Sequence, residues 1–240
     1  MALKEVNYNG KKFPISYILS GNGDKSILFL HGWGSNKEIM QGSFKSYLKD
    51  FKHIYIDMPG FGQSVNEDTV LTTTDYANII KEFLKELNLK PTIIAGHSFG
   101  GKVATLLNPS NLVLLSSAGV LVPKPFSIKA KIAIFKLLKP FGISKLRKFF
   151  VANDAKEMNS AMYETFKNVV DEDFEDNFKS YSGKALLFWG KEDTATPLWT
   201  GEKINSLIKD SKLFALNGDH FFFVQNSQFI ANTIENEVKG

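Results

Sequence analysis

The sequence predicts an α/β domain built on a mostly parallel sheet, with a helical insertion between two parts of the core. Short apolar, β-branched runs, typical of strands buried on both faces, alternate along the chain with amphipathic helical patterns. This alternation stops at Gly119 and resumes near residue 182. We therefore expect a core of residues 1–118 and 182–240 and a helical cap of residues 119–181. The 240 residues, 43% hydrophobic and 22% charged, are sufficient for one well-buried core.

Composition and charge exclude several classes of protein. A net charge of +4 is too small to indicate a nucleic-acid partner. The absence of cysteine rules out disulfides and thiolate metal sites. Residues 1–14 are polar and lack the apolar core of a signal peptide, and no apolar run approaches the length of a membrane span. We expect a cytoplasmic protein with a small-molecule substrate, no nucleic acid and no stable membrane insertion.

Eight strands are predicted. The first two alternate around Asn9-Gly10, a dipeptide typical of tight hairpin turns, and form an antiparallel edge. The others are separated by helices, which implies right-handed crossovers and parallel pairing. The predicted strands are residues 6–8, 13–18, 26–30, 53–56, 91–95, 111–115, 184–189 and 212–216.

The predicted helices flank these strands. Thr72-x-x-Asp75 is a capping pattern ahead of one of them, and Asn108-Pro109 ends another. The core helices are predicted at residues 38–48, 72–88, 102–107, 198–208 and 222–238, and the cap helices at 128–138, 145–150 and 154–170.

The first part of the cap is strongly basic. Eight lysines and arginines occur between Gly119 and Asn153 without an acidic residue, interleaved with apolar side chains. A basic amphipathic helix can lie on a membrane surface or attract an acidic substrate. We favour a third interpretation, in which the lysines face solvent above an apolar pocket.

The segment Gly-His-Ser-Phe-Gly at residues 96–100 matches G-x-S-x-G between a predicted strand and a predicted helix. In this setting the pattern is typical of a sharp turn that projects a serine hydroxyl above the sheet. Gly96 and Gly100 lack the β-carbons that would collide at such a bend. The Phe99 N–H lies at the helix N-terminus, where partial positive charge suits an oxyanion. The alternative is a glycine-rich turn with an incidental Ser98.

A second glycine-rich loop, His-Gly-Trp-Gly-Ser at residues 31–35, leaves the end of a central strand. Open α/β sheets bind ligands at the carboxyl ends of their strands. Gly32 and Gly34 allow the backbone to approach a substrate closely, and the Trp33 N–H is the candidate second oxyanion donor. A plain turn between strand and helix is the alternative.

A serine nucleophile needs a base, and the chain has four histidines. His97 is adjacent to Ser98 and is expected to point elsewhere, while His31 and His53 are expected to be structural. His220 follows the last strand, at the edge where Ser98 also lies. It is therefore the predicted base.

The base needs a carboxylate that fixes its tautomer. Asp193 follows the preceding strand and is the predicted partner. Glu192 is a close rival, and Asp219 is a weaker one because it adjoins His220 in sequence. These residues need no metal or organic cofactor.

Taken together, the motifs resemble those of the α/β-hydrolase family. They are His-Gly-Trp-Gly at residues 31–34, Asp-x-Pro-Gly-x-Gly-x-Ser at 57–64, Gly-His-Ser-Phe-Gly-Gly at 96–101, Gly-x-x-Asp at 190–193 and Gly-Asp-His at 218–220. The resemblance implies an eight-stranded α/β-hydrolase sheet with an inserted cap. It also implies a nucleophile Ser98, an acid Asp193, a base His220 and oxyanion donors Trp33 and Phe99.

Within that family the sequence is most similar to small carboxylesterases and to carbon–carbon bond hydrolases of the 2-hydroxy-6-oxo-dienoate type. Gly-His-Ser and Trp-Gly-Ser-Asn stand where the latter usually have Gly-Asn-Ser and Ser-Gly-Pro-Gly, which favours an esterase. A hydrolase-like ligand-binding protein with vestigial catalysis is the third hypothesis. Aromatic residues predicted near the site indicate an apolar pocket, unless they fill the core: Trp33, Phe61, Phe99, Phe221 and Phe222.

Overall fold

The computed structural model describes residues 1–123 and 159–238. Its eight strands form one sheet in the order β1-β2-β4-β3-β5-β6-β7-β8. The strands are β1 (Ala2–Tyr8), β2 (Lys11–Ser20), β3 (Lys25–Leu30), β4 (Phe51–Ile56), β5 (Ile93–His97), β6 (Asn111–Leu115), β7 (Lys184–Gly190) and β8 (Ser211–Leu216). The predicted fold class is confirmed.

Strand direction follows the predicted pattern. β1 pairs with β2, and β2 with β4, in antiparallel register, and all remaining neighbours are parallel. Asn9 and Gly10 form the hairpin turn with φ of 49° and 75°, a left-handed conformation that these two residue types tolerate.

Seven helices lie in the described ranges 1–123 and 159–238, and none of them is long and apolar enough to cross a membrane. They are α1 (Lys37–Phe44), α2 (Thr73–Glu86), α3 (Phe99–Leu107), α4 (Ser160–Val169), α5 (Glu175–Ser180), α6 (Leu198–Leu207) and α7 (Phe223–Val238). The predicted cap helices at residues 128–138 and 145–150 lie outside the described residues.

Two helix boundaries differ from the prediction. The first helix ends at Phe44 rather than at residue 48, because the chain turns through Leu48 at φ 52° to enter β4. The helix after the serine begins at Phe99, three residues earlier than predicted. The capping pattern ahead of α2 is confirmed, since the Thr72 and Asp75 side chains each accept a bond from the other's backbone N–H.

The core has one apolar layer on each face of the sheet. Alternate residues of β3 enter different layers: Leu28 packs with α2 and α3, and Phe29 packs with α1 and α7. Helices on both faces explain why the central strands read as continuous apolar runs. Six parallel strands, β3 to β8, direct their carboxyl ends toward one edge, where the candidate site lies.

Candidate active site

Ser98 lies in the turn between β5 and α3. Its φ of 50° and ψ of −115° are values that residues other than glycine rarely adopt. Hydrogen bonds to the neighbouring strand hold this conformation. The Ser98 N–H donates to the Leu115 carbonyl at 3.1 Å, and the Ser98 carbonyl accepts from the Ala118 N–H at 3.0 Å. The strained conformation of Ser98 is thus stabilised by β6 and by the residues that follow it.

Close packing around the turn explains its glycines. A β-carbon at Gly96 would lie 2.3 Å from the Gly100 carbonyl oxygen, and one at Gly100 would lie 2.6 Å from two carbonyl oxygens at the end of β3. A β-carbon at Gly32 would lie 3.2 Å from the Ser98 β-carbon. Gly34 has open space around it but a φ of 72°, so its role is conformational. The loop of residues 31–36 therefore lies directly against Ser98.

This loop is fixed at its start by His31. The Met58 N–H donates to His31 Nε2 at 3.0 Å, so the ring proton is on Nδ1, which donates to the Gly32 carbonyl at 2.8 Å. Burial lowers the pKa of His31, and the ring is neutral near pH 7. The expectation of a structural histidine agrees with these contacts.

A buried ion pair fixes the other end of the loop. Asp57 accepts from the backbone N–H and from Nζ of Lys37, both at 2.7 Å, and from the Gln63 N–H at 2.9 Å. Neither charged side chain is exposed. Burial alone would lower the pKa of Lys37, but its bonds to Asp57 and Glu38 outweigh this effect and raise it.

Trp33 and Phe99 carry the two candidate oxyanion donors. Phe99 is the first residue of α3, so its N–H has no acceptor within the helix. The Trp33 ring packs edge-on against Phe61 at a centroid distance of 4.8 Å and against Phe99 at 5.4 Å. Phe166 of α4 lies 5.3 Å from the same indole ring. These four rings form an aromatic cluster beside Ser98.

The other two aromatic residues predicted near the pocket are placed differently. Phe222 is fully buried in the apolar layer of α1 and α7, on the opposite face of the sheet from the Trp33 cluster. Its role is in the core. Phe221 is 43% exposed and packs against His220 at 5.7 Å.

Asp193 and His220 meet at the same sheet edge. Asp193 lies in the loop after β7 and His220 in the turn after β8, with 2.7 Å between Asp193 Oδ2 and His220 Nδ1. The Asp193 side chain is fully buried, and that of His220 is 19% exposed. A charged Asp193 fixes the imidazole tautomer that keeps the lone pair on Nε2.

The environment of Asp193 favours its charged form. Burial raises its pKa, but bonds from His220, Thr196 and Ser116, together with the charge of His220, outweigh that effect and lower the pKa to about 2. The Ala195 and Thr196 N–H groups donate to Oδ1 at 2.8 and 2.9 Å, and the Thr196 hydroxyl lies 2.9 Å from Oδ2.

Thr196 and Ser116 are site residues that the sequence reasoning did not identify. For Thr196 there was a signal, because a threonine three residues after an aspartate is typical of a local side-chain to backbone turn. For Ser116 the only signal was its position directly after a buried strand, at the edge of the sheet where the site is predicted. It adopts φ 45° after β6, where its N–H donates to the Phe188 carbonyl at 2.9 Å.

The rival residues make other contacts. The Glu192 carboxylate accepts from the Gly218 N–H, and the Asp219 carboxylate accepts from the Phe221 N–H at 2.8 Å. His53 lies within the core, with its ring nitrogens 2.7 Å from the Tyr55 hydroxyl and 3.0 Å from the Leu48 carbonyl oxygen. The structure therefore brings Asp193, rather than either rival, to His220.

Residues 1–123 and 159–238 contain no group of three or more histidine, aspartate or glutamate side chains that could hold a metal ion. The chemistry available at this edge is that of a serine, an imidazole, a buried carboxylate and backbone N–H groups.

Comparisons with known proteins show the family and the fold of this chain. The sequence model of the alpha/beta hydrolase family matches residues 27–233. The chain is 26% identical over 243 residues to the AB hydrolase superfamily protein YisY of Bacillus subtilis, covering 87% of this chain and 89% of that relative. It is 34% identical over 104 residues to a pimeloyl-[acyl-carrier protein] methyl ester esterase of Pseudoalteromonas atlantica, covering 41% of this chain and 39% of the relative. The structure of an esterase from Exiguobacterium antarcticum superposes with a TM-score of 0.77 at 24% identity, over 98% of this chain and 99% of the other.

Proposed function

Because the chain belongs to the α/β-hydrolase family, we propose that it is a serine hydrolase that cleaves carboxylic esters through an acyl-enzyme. Ser98 is the nucleophile, His220 the base and Asp193 the carboxylate that orients it. Trp33 and Phe99 supply the oxyanion N–H groups. The observation that carries the proposal is the 2.7 Å contact between His220 Nδ1 and the buried Asp193 carboxylate, with the His220 ring centroid 4.7 Å from that of His97, the residue before Ser98.

In the first half-reaction, His220 Nε2 takes the hydroxyl proton as Ser98 Oγ bonds to the ester carbonyl carbon. The carbonyl π electrons move to oxygen, and the Trp33 and Phe99 N–H groups stabilise the resulting oxyanion. Each such donor contributes about 2.7–4 kcal/mol in known oxyanion holes. When the intermediate collapses, the carbon–oxygen bond to the alcohol breaks, and His220 returns the proton to the leaving oxygen.

The second half-reaction repeats these steps with water. His220 removes a proton from the water, which attacks the acyl carbon, and the acid product and free Ser98 are released. The negative charge of Asp193 stabilises the imidazolium in both halves.

The aromatic cluster beside Ser98 supports an apolar ester as the substrate. Trp33 and Phe166 are half-buried and pack on each other, above Phe61 and Phe99, which are buried in the core. Their hydrocarbon surface near the candidate nucleophile favours burial of an apolar acyl or alcohol group. An esterase and a methyl ester esterase among the similar proteins are consistent with this choice. We further propose that the insertion predicted at residues 119–181 acts as a cap, since Phe166, in its described part, lies 5.3 Å from the Trp33 ring.

The test is a series of p-nitrophenyl esters from acetyl to decanoyl, assayed with wild type and Ser98→Ala. We expect turnover by wild type with a preference for short to medium chains, and only background hydrolysis by the variant. Exclusive turnover of a vinylogous diketone acid would instead assign the carbon–carbon bond hydrolase. Tight ligand binding without turnover of either class would assign the binding protein.

A further inference from the structure

His97, the residue between Gly96 and Ser98, has a fully enclosed imidazole that the mechanism above does not use. Its ring centroid lies 4.7 Å from that of His220 and 4.8 Å from that of Phe223. Its Nε2 lies 3.0 Å from the backbone carbonyl oxygen of His220. Because a carbonyl oxygen only accepts, Nε2 carries the ring proton and donates it.

The other ring nitrogen, Nδ1, makes no hydrogen bond that would stabilise the described part of the fold. His97 Nδ1 is buried and has no hydrogen-bond partner within residues 1–123 and 159–238. Burial first, and then the neighbouring His220, lower the pKa of His97 to about 3, so the ring is neutral near pH 7. A buried acceptor left unpaired typically costs about 1–3 kcal/mol of stability. A phenyl ring of similar shape would avoid that cost but would leave the His220 carbonyl without its donor, so the hydrogen bond to His220 is the feature that requires an imidazole here.

The position of Nδ1 adds a third contact. A β-carbon at Gly32 would lie 2.8 Å from His97 Nδ1, so the ring packs directly on the loop that carries Trp33. His97 thus adjoins Ser98 in sequence, holds the main chain of His220 by a hydrogen bond and supports the Trp33 loop by contact.

We propose that His97 is a positioning residue that fixes His220 relative to Ser98 by donating its Nε2 proton to the His220 carbonyl. This inference rests on the proposed function. Asp193 holds the His220 ring at Nδ1, while His97 holds the backbone from which that ring extends. A displacement of about 1 Å between reacting groups can lower a rate by about 10²-fold. Loss of the hydrogen bond from His97 should therefore displace His220 and reduce kcat, while substrate binding to the aromatic cluster is unchanged.

Three substitutions separate the hydrogen bond from the packing. In His97→Gln the amide nitrogen can reach the position of the imidazole Nε2, whereas in His97→Asn it reaches only the position of Nδ1. His97→Phe keeps the ring but has no donor. Steady-state kinetics on the best p-nitrophenyl ester, with melting temperatures for all variants, is the measurement. We expect kcat to fall up to about 10²-fold in the Phe and Asn variants at unchanged KM, and the Gln variant to recover most of the loss.

The outcomes are distinguishable. A folded wild type that turns over no ester overturns the proposed function and this inference with it. An active wild type with equal kcat in the Phe variant, or with equal kcat in the Gln and Asn variants, overturns the positioning role alone. If the Phe variant does not fold, the comparison of Gln with Asn at similar melting temperature decides the question.

Discussion

Replacing Asp193 by asparagine should lower kcat on the order of 10⁴-fold, a loss typical of Ser-His-Asp enzymes, with the fold intact. The geometry explains why. Asparagine keeps an oxygen for the Ala195 and Thr196 N–H groups, but places an NH₂ donor where Oδ2 now accepts from His220 Nδ1. His220 must then turn its Nδ1 lone pair toward the amide and carry its proton on Nε2. That tautomer cannot take the Ser98 proton.

A 10⁴-fold loss corresponds to about 5.4 kcal/mol of transition-state stabilisation, at about 1.36 kcal/mol for each factor of ten. KM should change little, because the buried Asp193 side chain is not exposed to substrate. The assay is steady-state hydrolysis of a p-nitrophenyl ester, with circular dichroism and melting temperature to verify folding.

Glu192→Gln is the matched control. It makes the same chemical change at the adjacent residue, whose carboxylate accepts from the Gly218 N–H instead of His220. Its kcat should stay within a few-fold of wild type. Equal losses in the two variants, or a larger loss in Glu192→Gln, would refute the assignment of Asp193.

Three further predictions concern stability and folding. The pKa of Asp193 is about 2 in the folded protein, against an ordinary value of 3.8, so its charge contributes about 2 kcal/mol to the free energy of unfolding above pH 4. This contribution is lost as the pH falls toward 2. Denaturant titrations between about pH 4 and pH 2 should therefore show a loss of stability in wild type that is absent from Asp193→Asn. Gly96→Ala should prevent folding or abolish activity, since its β-carbon would meet a backbone oxygen at 2.3 Å, whereas Gly42→Ala, with open space inside α1, should stabilise by about 0.4–1 kcal/mol in thermal melts. Lys102→Met should cost about 2 kcal/mol in urea unfolding, because it leaves Glu172 without its buried cation at 3.0 Å, and Lys102→Met with Glu172→Gln should recover part of the loss.

Each of these three predictions would be contradicted by a specific result. Parallel pH profiles for wild type and Asp193→Asn would show that the low pKa does not stabilise the fold. Normal activity in Gly96→Ala would show that the tight turn is not required. A loss in the double variant equal to the sum of the losses in Lys102→Met and Glu172→Gln alone would show that the pair is not coupled.

Features that depend mainly on the local sequence were predicted well. The run at residues 26–30 is apolar throughout because β3 is covered on both faces. This pattern can be recognised from the segment alone, without knowing which elements pack against it. The turn at Ser98 is local in part. Gly96 is required by the Gly100 carbonyl four residues away, whereas Gly100 is required by carbonyl oxygens at the end of β3. Periodicity and glycine spacing were therefore sufficient for the sheet and for the candidate nucleophile.

Features that depend on contacts between distant segments were less accessible. Asp193 and Glu192 are adjacent and chemically alike, and only the approach of the turn after β8 distinguishes them. The hydrogen bond from His97 to His220 joins residues 123 positions apart. Ser116 has a left-handed φ that no residue type signals, because β7 and the loop after it impose it. Such details follow from tertiary packing rather than from a local pattern.

The measurement that tests the central claim most directly is labelling with a fluorophosphonate probe, followed by intact mass and peptide mapping, on wild type and Ser98→Ala. The probe reacts with a serine whose proton a neighbouring base can remove, whatever the natural substrate. We predict one adduct per chain, on Ser98, and none on the variant. A folded wild type that takes no adduct, or takes it at another residue, would contradict the assignment of Ser98, Asp193 and His220 as a working catalytic set.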